Sequence, residues 1–299
     1  NFMIEIDGLT TENVNEATKH IDQMDSLGIV TLINQEDKKV ADAVEKELPV
    51  VAKAVDAIAE RFGAGGRIIY CGAGTSGRMG TLDSVELLPT YSVTPDRVLS
   101  LLAGGESAMY RAVEGAEDSR ELAFDDLAKV NLTEKDCVIG IAASGRTPYV
   151  LGALDYAKEI GCHTAAISCN AGCAIGQAAE VAVEAVVGPE VLTGSTRLKA
   201  GTAQKLILNM ISTATMVGVG KAYQNLMVDV MQTNEKLRRR AEKIVTEATG
   251  VSQEEARRNI DLAGGNAKTA ITMILAGCGA EEARARLEKA KGHVREAIR

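Results

Sequence analysis

The chain has 299 residues, 46% of them hydrophobic, with 41 acidic and 33 basic side chains for a formal net charge of −8. That length buries a sizeable core, as one large α/β domain or a large and a small one. The acidic balance, with Arg238-Arg239-Arg240 as its one short basic run, argues against nucleic acid as a partner. No apolar run approaches the roughly 18 residues of a membrane helix, and no basic-then-apolar leader opens the chain.

In chain order, Asn1-Phe2-Met3 reads as an appended leader at a native methionine start, outside the fold. Apolar residues at Val40, Val44, Leu48, Val51, Val55 and Ile58 predict a helix over residues 38–61. Short, almost wholly apolar runs at 67–71, 98–102, 137–142, 164–168 and 181–186 predict strands buried on both faces, as in a parallel sheet. Between them lie helical stretches such as Pro148 to Ile160, ended by Gly161. This alternation predicts an α/β fold, a doubly wound, parallel five-stranded sheet with ligands at the carboxyl ends of its strands. Residues 201–240 read as one or two long helices. From about Glu242 the texture changes to three short amphipathic helices, punctuated by Thr249-Gly250, Gly264-Gly265-Asn266 and Gly277-Cys278-Gly279, with Ser252 and Glu255 forming a capping box. The expected domains are therefore 1–241, an α/β domain with N-terminal helices, and 242–299, a small three-helix subdomain.

Six cysteines without a CxxC pair, mostly in apolar segments, read as buried thiols of a reducing, cytoplasmic compartment. Three scattered histidines give little material for a metal centre or a Ser-His-Asp triad. Aromatic residues at 3% and no tryptophan argue against a stacking platform or a deep aromatic sugar cleft.

Three polar stretches carry the chemistry. The turn after the first strand, Gly72-Ala73-Gly74-Thr75-Ser76-Gly77-Arg78, sets glycines and hydroxyls beside the free N–H groups of a helix start, which favours an anion. Its glycine spacing also fits a dinucleotide fingerprint, but no acidic residue closes the second strand where a ribose partner belongs. Ala143-Ser144-Gly145-Arg146-Thr147-Pro148 repeats the device after the third strand. The string from Thr193 through Gly194, Ser195, Thr196, Arg197 and Lys199 to Thr202 follows the last one. Two hydroxyl-bearing turns with no Walker lysine suit a sugar phosphate better than a nucleotide.

These three strings together resemble the N-acetylmuramic acid 6-phosphate etherase family of SIS-domain proteins. Leu32-Ile33-Asn34-Gln35-Glu36-Asp37, Ala112-Val113-Glu114-Gly115-Ala116-Glu117-Asp118 and the Gly264-Gly265-Asn266 tail are similar too, so the resemblance spans nearly the whole chain. It implies an SIS-type, flavodoxin-like sheet, a UBA-like C-terminal subdomain, a homodimer, an amino-sugar phosphate substrate, and neither metal nor organic cofactor. The implied reaction removes the C3 lactyl ether by elimination and rehydration. The family's acid maps onto Glu86, among apolar neighbours expected to raise its pKa, and its base onto Glu117, with Glu114 as the alternative one helical turn away. Leu87-Leu88-Pro89 departs from the Cys-Pro-Pro-type turn that usually follows the acid. The expected substrate-binding residues are Gly74, Thr75, Ser76, Ser144, Gly145, Arg146, Thr147, Ser195, Thr196 and Lys199. A non-catalytic sugar-phosphate sensor needs the loops without the two glutamates, and an aldose–ketose isomerase shares the fold; both remain alternatives at this level.

Overall fold

The computed structural model describes residues 8–299, so Asn1-Phe2-Met3, expected above to be an appended leader, lie outside the described residues. Two helices come first, α1 (Ser26–Glu45) and α2 (Leu48–Gly63). The single helix expected over 38–61 is broken because Pro49 has no N–H to continue α1, yet fits the first turn of α2.

Strands β1 (Ile68–Gly72), β2 (Val98–Leu102), β3 (Cys137–Ile141), β4 (His163–Ser168) and β5 (Val181–Glu184) form one five-stranded sheet. Its order is β2-β1-β3-β4-β5 and every pairing is parallel. That is the flavodoxin-like order, with the strand sequence reversing direction beside β1 and β3. Every residue of β1, β3 and β4 is buried, the physical counterpart of the apolar runs in β1 and β3 and of the Ala-Ala-Ile centre of β4.

Helix α3 (Gly74–Tyr91) follows β1, and α4 (Arg120–Lys129) precedes β3. Helices α5 (Pro148–Ile160) and α6 (Ala174–Ala178) flank β4. Ile69, Cys71 and Val138 turn one sheet face into a core with Leu127, Val150 and Leu154 of α4 and α5. At Gly140 an added Cβ would lie 2.6 Å from Val150 Cγ1, so the bare strand lets α5 settle closely. Helix α2 packs on β3, β4 and β5 from outside that cluster, which covers the second face. α5 begins at Pro148 and stops at Gly161, in the left-handed region at φ +91, as the sequence suggests.

Helix α7 (Lys199–Gly218) ends well before residue 240, and α8 (Glu235–Thr249) starts anew under an Asn234 cap. Three ten-residue helices follow, α9 (Gln253–Leu262), α10 (Ala267–Ala276) and α11 (Ala280–Lys289), then the short α12 (Val294–Ala297). Their punctuation is local chemistry. Gly250 and Gly277 take left-handed C-caps, while Ser252 and Asn266 accept N-cap bonds from Glu255 and Thr269. The chain divides into two compact units: residues up to Ser84 with Asp96–Ser212, and Val85–Pro95 with Thr213–Arg299. The first holds the sheet; the second has its own core, with Ala241, Val245, Ile260 and Ile271 at its centre. Among the described residues, no helix is long and apolar enough to cross a membrane.

Candidate active site

The first loop uses its glycines for two purposes. A Cβ on Gly72 would lie 2.7 Å from the Gly77 nitrogen, and one on Gly77 would lie 2.6 Å from the Gly72 carbonyl oxygen. These two let α3 start tight against β1. Gly74 sits at φ +53 with open space around it, so it supplies the turn and leaves backbone exposed. Thr75 is half-buried at this surface. Ser76 lies deeper, 7% exposed, its hydroxyl donating to Gln204 Oε1 at 3.0 Å, while Gln204 Nε2 is buried without a partner among the described residues.

In the second loop Gly145 has φ +73, and a Cβ there would lie 2.3 Å from Cys173 Cβ; only glycine fits. Ser144 Oγ accepts from the Arg146 N–H at 3.3 Å. Buried Thr147 heads α5 without capping it. Its hydroxyl instead donates to Glu117 Oε1 at 3.4 Å, and the Tyr149 N–H donates to the Glu117 carbonyl at 3.0 Å. Two residues singled out from separate stretches are thus brought together. Glu117 and Glu114 are both exposed, and they lie in consecutive turns around Gly115 at φ +75, not on a helix. The expected helical spacing between them is therefore corrected.

Around Gly194, at φ +77, Ser195 and Thr196 are half-buried. Lys199 is not on that wall. It is 1% exposed, its ammonium 2.7 Å from Glu36 Oε2, and its N–H and that of Ala200 both donate to the Glu190 carboxylate at 2.9 Å. Glu190 therefore caps the start of α7, where an anion would otherwise be welcome. Burial pushes the Glu190 carboxyl up. Burial also works to raise Glu36, but hydrogen bonds from Lys199 and Lys39 outweigh it and hold that carboxyl below its ordinary range. A buried Glu36 needs a partner charge, and Lys199 provides it. The substrate-binding expectation for Lys199 is corrected accordingly.

Glu86 departs from expectation as well. It is exposed on α3 beside Leu82 and Val85, themselves 46% and 62% exposed. Its apolar neighbours share the open face of the helix, whereas Leu87 is the one that turns inward. A single chain therefore gives Glu86 no apolar burial.

Sequence reasoning missed Asn170 and Glu190, and gave no role of their own to Glu36 or Gln204. Asn170 had a usable signal: it follows β4 as the other loops follow β1 and β3. It borders a cleft of about 480 Å³ with Thr10, Arg146, Cys173 and Gln177. Among the described residues, no cluster of three or more His, Cys, Asp or Glu is placed to hold a metal. Five of the six cysteines are buried, and burial first of all pushes the thiols of Cys137, Cys162 and Cys169 up to about 12.

Residues 50–158 match the glucokinase regulatory protein N-terminal SIS domain, and residues 111–214 match the SIS domain. Among solved structures, a Bacteroides fragilis protein assigned as a phosphosugar isomerase involved in capsule formation superposes with a TM-score of 0.50 at 20% identity. It covers 66% of this chain and 94% of its own, and so speaks to the fold alone. Curated relatives are far nearer. N-acetylmuramic acid 6-phosphate etherase of Exiguobacterium sp. is 57% identical over 98% of this chain and 100% of its own. The Geobacillus thermodenitrificans etherase is 57% identical over 98% and 99%, and etherase 1 of Enterococcus faecalis 54% identical over 98% of each. With an SIS sheet, paired hydroxyl loops and relatives matching end to end, the chain belongs to the N-acetylmuramic acid 6-phosphate etherase family.

Proposed function

We propose that this protein cleaves the C3 D-lactyl ether of N-acetylmuramic acid 6-phosphate, giving N-acetylglucosamine 6-phosphate and D-lactate. The observation that carries the proposal is the 57% identity to a curated etherase across essentially both whole chains. The chemistry balances without a cofactor. A base takes the C2 proton of the ring-opened sugar, the C2–C3 double bond forms as the C3–O bond breaks, and an acid protonates the departing lactate. Water then adds at C3 of the unsaturated aldehyde, and the C2 proton is returned.

Glu117 is the proposed base. The Thr147 hydroxyl at 3.4 Å and the Tyr149 N–H on its carbonyl hold its backbone and side chain beside the second loop, in support of that role. Glu86 is the proposed acid. Gly74, Thr75, Ser76, Ser144, Gly145, Arg146 and Thr147 bind the phosphate end, with Ser195 and Thr196 toward the sugar, so that binding energy there orients C2 and C3. A cytoplasmic homodimer completes the reading. A second copy covering the exposed Leu82, Val85 and Glu86 face would supply the desolvation that a carboxylic acid needs to stay protonated near neutral pH.

The test is incubation with N-acetylmuramic acid 6-phosphate and coupled measurement of D-lactate. Well-folded protein that releases none would sink the reading. Glu117→Gln should abolish exchange of the C2 proton with solvent deuterium, and exchange at the wild-type rate would remove Glu117 from the base role.

A further inference from the structure

Asn170 lies two residues beyond β4, at the carboxyl end of the sheet, and is only 3% exposed. Its Oδ1 accepts from both the N–H and the hydroxyl of Thr10, at 2.9 and 2.8 Å. Its Nδ2 donates to Thr11 Oγ1 at 3.0 Å and to the Ala143 carbonyl at 3.1 Å, with the Ser144 carbonyl at 3.4 Å. One carboxamide therefore fastens the short 3₁₀ turn Thr10–Glu12 to the backbone of the second loop. The same segment is stitched further along. Thr18 Oγ1 donates to the Val191 carbonyl at 2.8 Å, and Asn15 Nδ2 to that of Pro189 at 3.3 Å. Residues 9–18 thus form a strap tied to the ends of β3 and β4 and to the stretch that enters the Gly194 turn.

What the strap presents differs residue by residue. Thr10 and Thr11 spend their hydroxyls on Asn170. The Glu12 carboxylate lies at the Gly194 turn, where an added Cβ would be 3.4 Å from Glu12 Oε2. Gly8, Leu9 and Thr10 line the 480 Å³ cleft together with Arg146 and Asn170. A carboxylate repels phosphate but accepts well from hydroxyl or amide N–H groups.

We propose that Asn170 is a positioning residue whose carboxamide clasps residues 9–12 between the 480 Å³ cleft and the Gly194 turn of the sugar-phosphate site, at which turn Glu12 serves as an acceptor for sugar hydroxyl or amide N–H groups. The proposal rests on the sugar-phosphate reading of the site. An irregular segment held by side-chain bonds loosens when its clasp is removed, because ordering each residue costs backbone entropy.

The experiment uses the full chain and has two arms. In the first, amide hydrogen exchange at residues 9–12 is followed with and without N-acetylglucosamine 6-phosphate. The ligand should slow exchange there in the wild type, and Asn170→Ala should speed it in the free protein. In the second, Asn170→Ala should raise KM for D-lactate release by about tenfold with kcat kept within about threefold, the signature of lost uniform binding. Thr10→Val should fall between that variant and wild type, and Thr10→Ser should restore wild-type values. If Asn170→Ala does not fold, Glu12→Gln carries the second arm with the same expected split. Unchanged exchange at residues 9–12 on adding ligand, or a wild-type KM in the folded variant, would overturn the proposal. Absence of lactate from the wild type sinks the etherase reading instead, and the exchange arm still reports on the strap.

Discussion

Lys199 shows how one residue's surroundings decide its meaning. In sequence it stands in a run of hydroxyls and cations that reads as a ligand wall. In the fold its ammonium pairs with Glu36, 163 residues away, and both side chains are almost wholly enclosed. Removing Lys199 strands part of the buried Glu36 charge, which keeps Lys39 and the Asn15 carboxamide as partners, so the cost should fall below the roughly 3–5 kcal/mol of a wholly broken buried pair. Lys199→Met should therefore lower the urea midpoint substantially, while KM for sugar phosphate in the folded fraction stays at the wild-type value. Adding Glu36→Gln to it should recover part of the loss, because the stranded charge goes with it. A Lys199→Met protein of full stability and raised KM would restore Lys199 to the site. Glu117 is singled out in the sequence only through the family resemblance and Thr147 through its hydroxyl-bearing turn; the fold adds the hydrogen bond between them. Glu36 and Glu190 carry no such sign, since a buried carboxylate gains its role only from partners brought in by the fold.

Elements were more legible than single residues where local chemistry dictates them. The five strands fall within two residues of their apolar runs, and in β1, β3 and β4 burial on both faces leaves no alternation to misread. Breaks were harder to see. Pro49 divides α1 from α2, and the turns around Gly115 replace an expected helix, because the acidic spacing of 114 and 117 is compatible with either. The second loop gives the sharpest test at this scale. Gly145→Ala meets both a left-handed backbone and Cys173 Cβ at 2.3 Å, so the turn must move. Gly172→Ala, at φ +63 with nothing within 4 Å, faces the backbone cost alone, about 1–2 kcal/mol. Thermal unfolding should show the larger loss at Gly145, and titration with N-acetylglucosamine 6-phosphate should show weakened binding for that variant. Equal effects on stability for the two would mean that the close approach to Cys173 relaxes freely.

For the molecule as a whole, two units that interleave along the chain share one electrostatic trend. In the sheet-bearing unit, Asp136 accepts from the Arg67 N–H and guanidinium and from Thr133 N, at 2.7 to 3.1 Å, which joins the entries of β1 and β3. Burial works to raise its carboxyl, but these donors hold it below the usual range. Glu36 is lowered in the same way, and in the helical unit Arg257 lowers Glu242. A carboxyl with a depressed folded-state pKa contributes stability above its unfolded value, about 4, and that contribution is lost as pH falls through the folded value. Glu190 runs oppositely. Burial raises it, so its contribution is greatest below the unfolded value and fades as pH climbs through the folded one. Three lowered groups against one raised group should make acid the destabilising direction. Urea midpoints should stay nearly level from about pH 7 to 5 and fall steeply below about pH 4. Asp136→Asn should reduce stability at pH 7 and make that fall shallower, since the proton uptake it removes is part of the slope. A variant whose midpoints run parallel to the wild type down to pH 3 would show that Asp136 titrates alike in both states, and the acid sensitivity would then belong to other carboxylates.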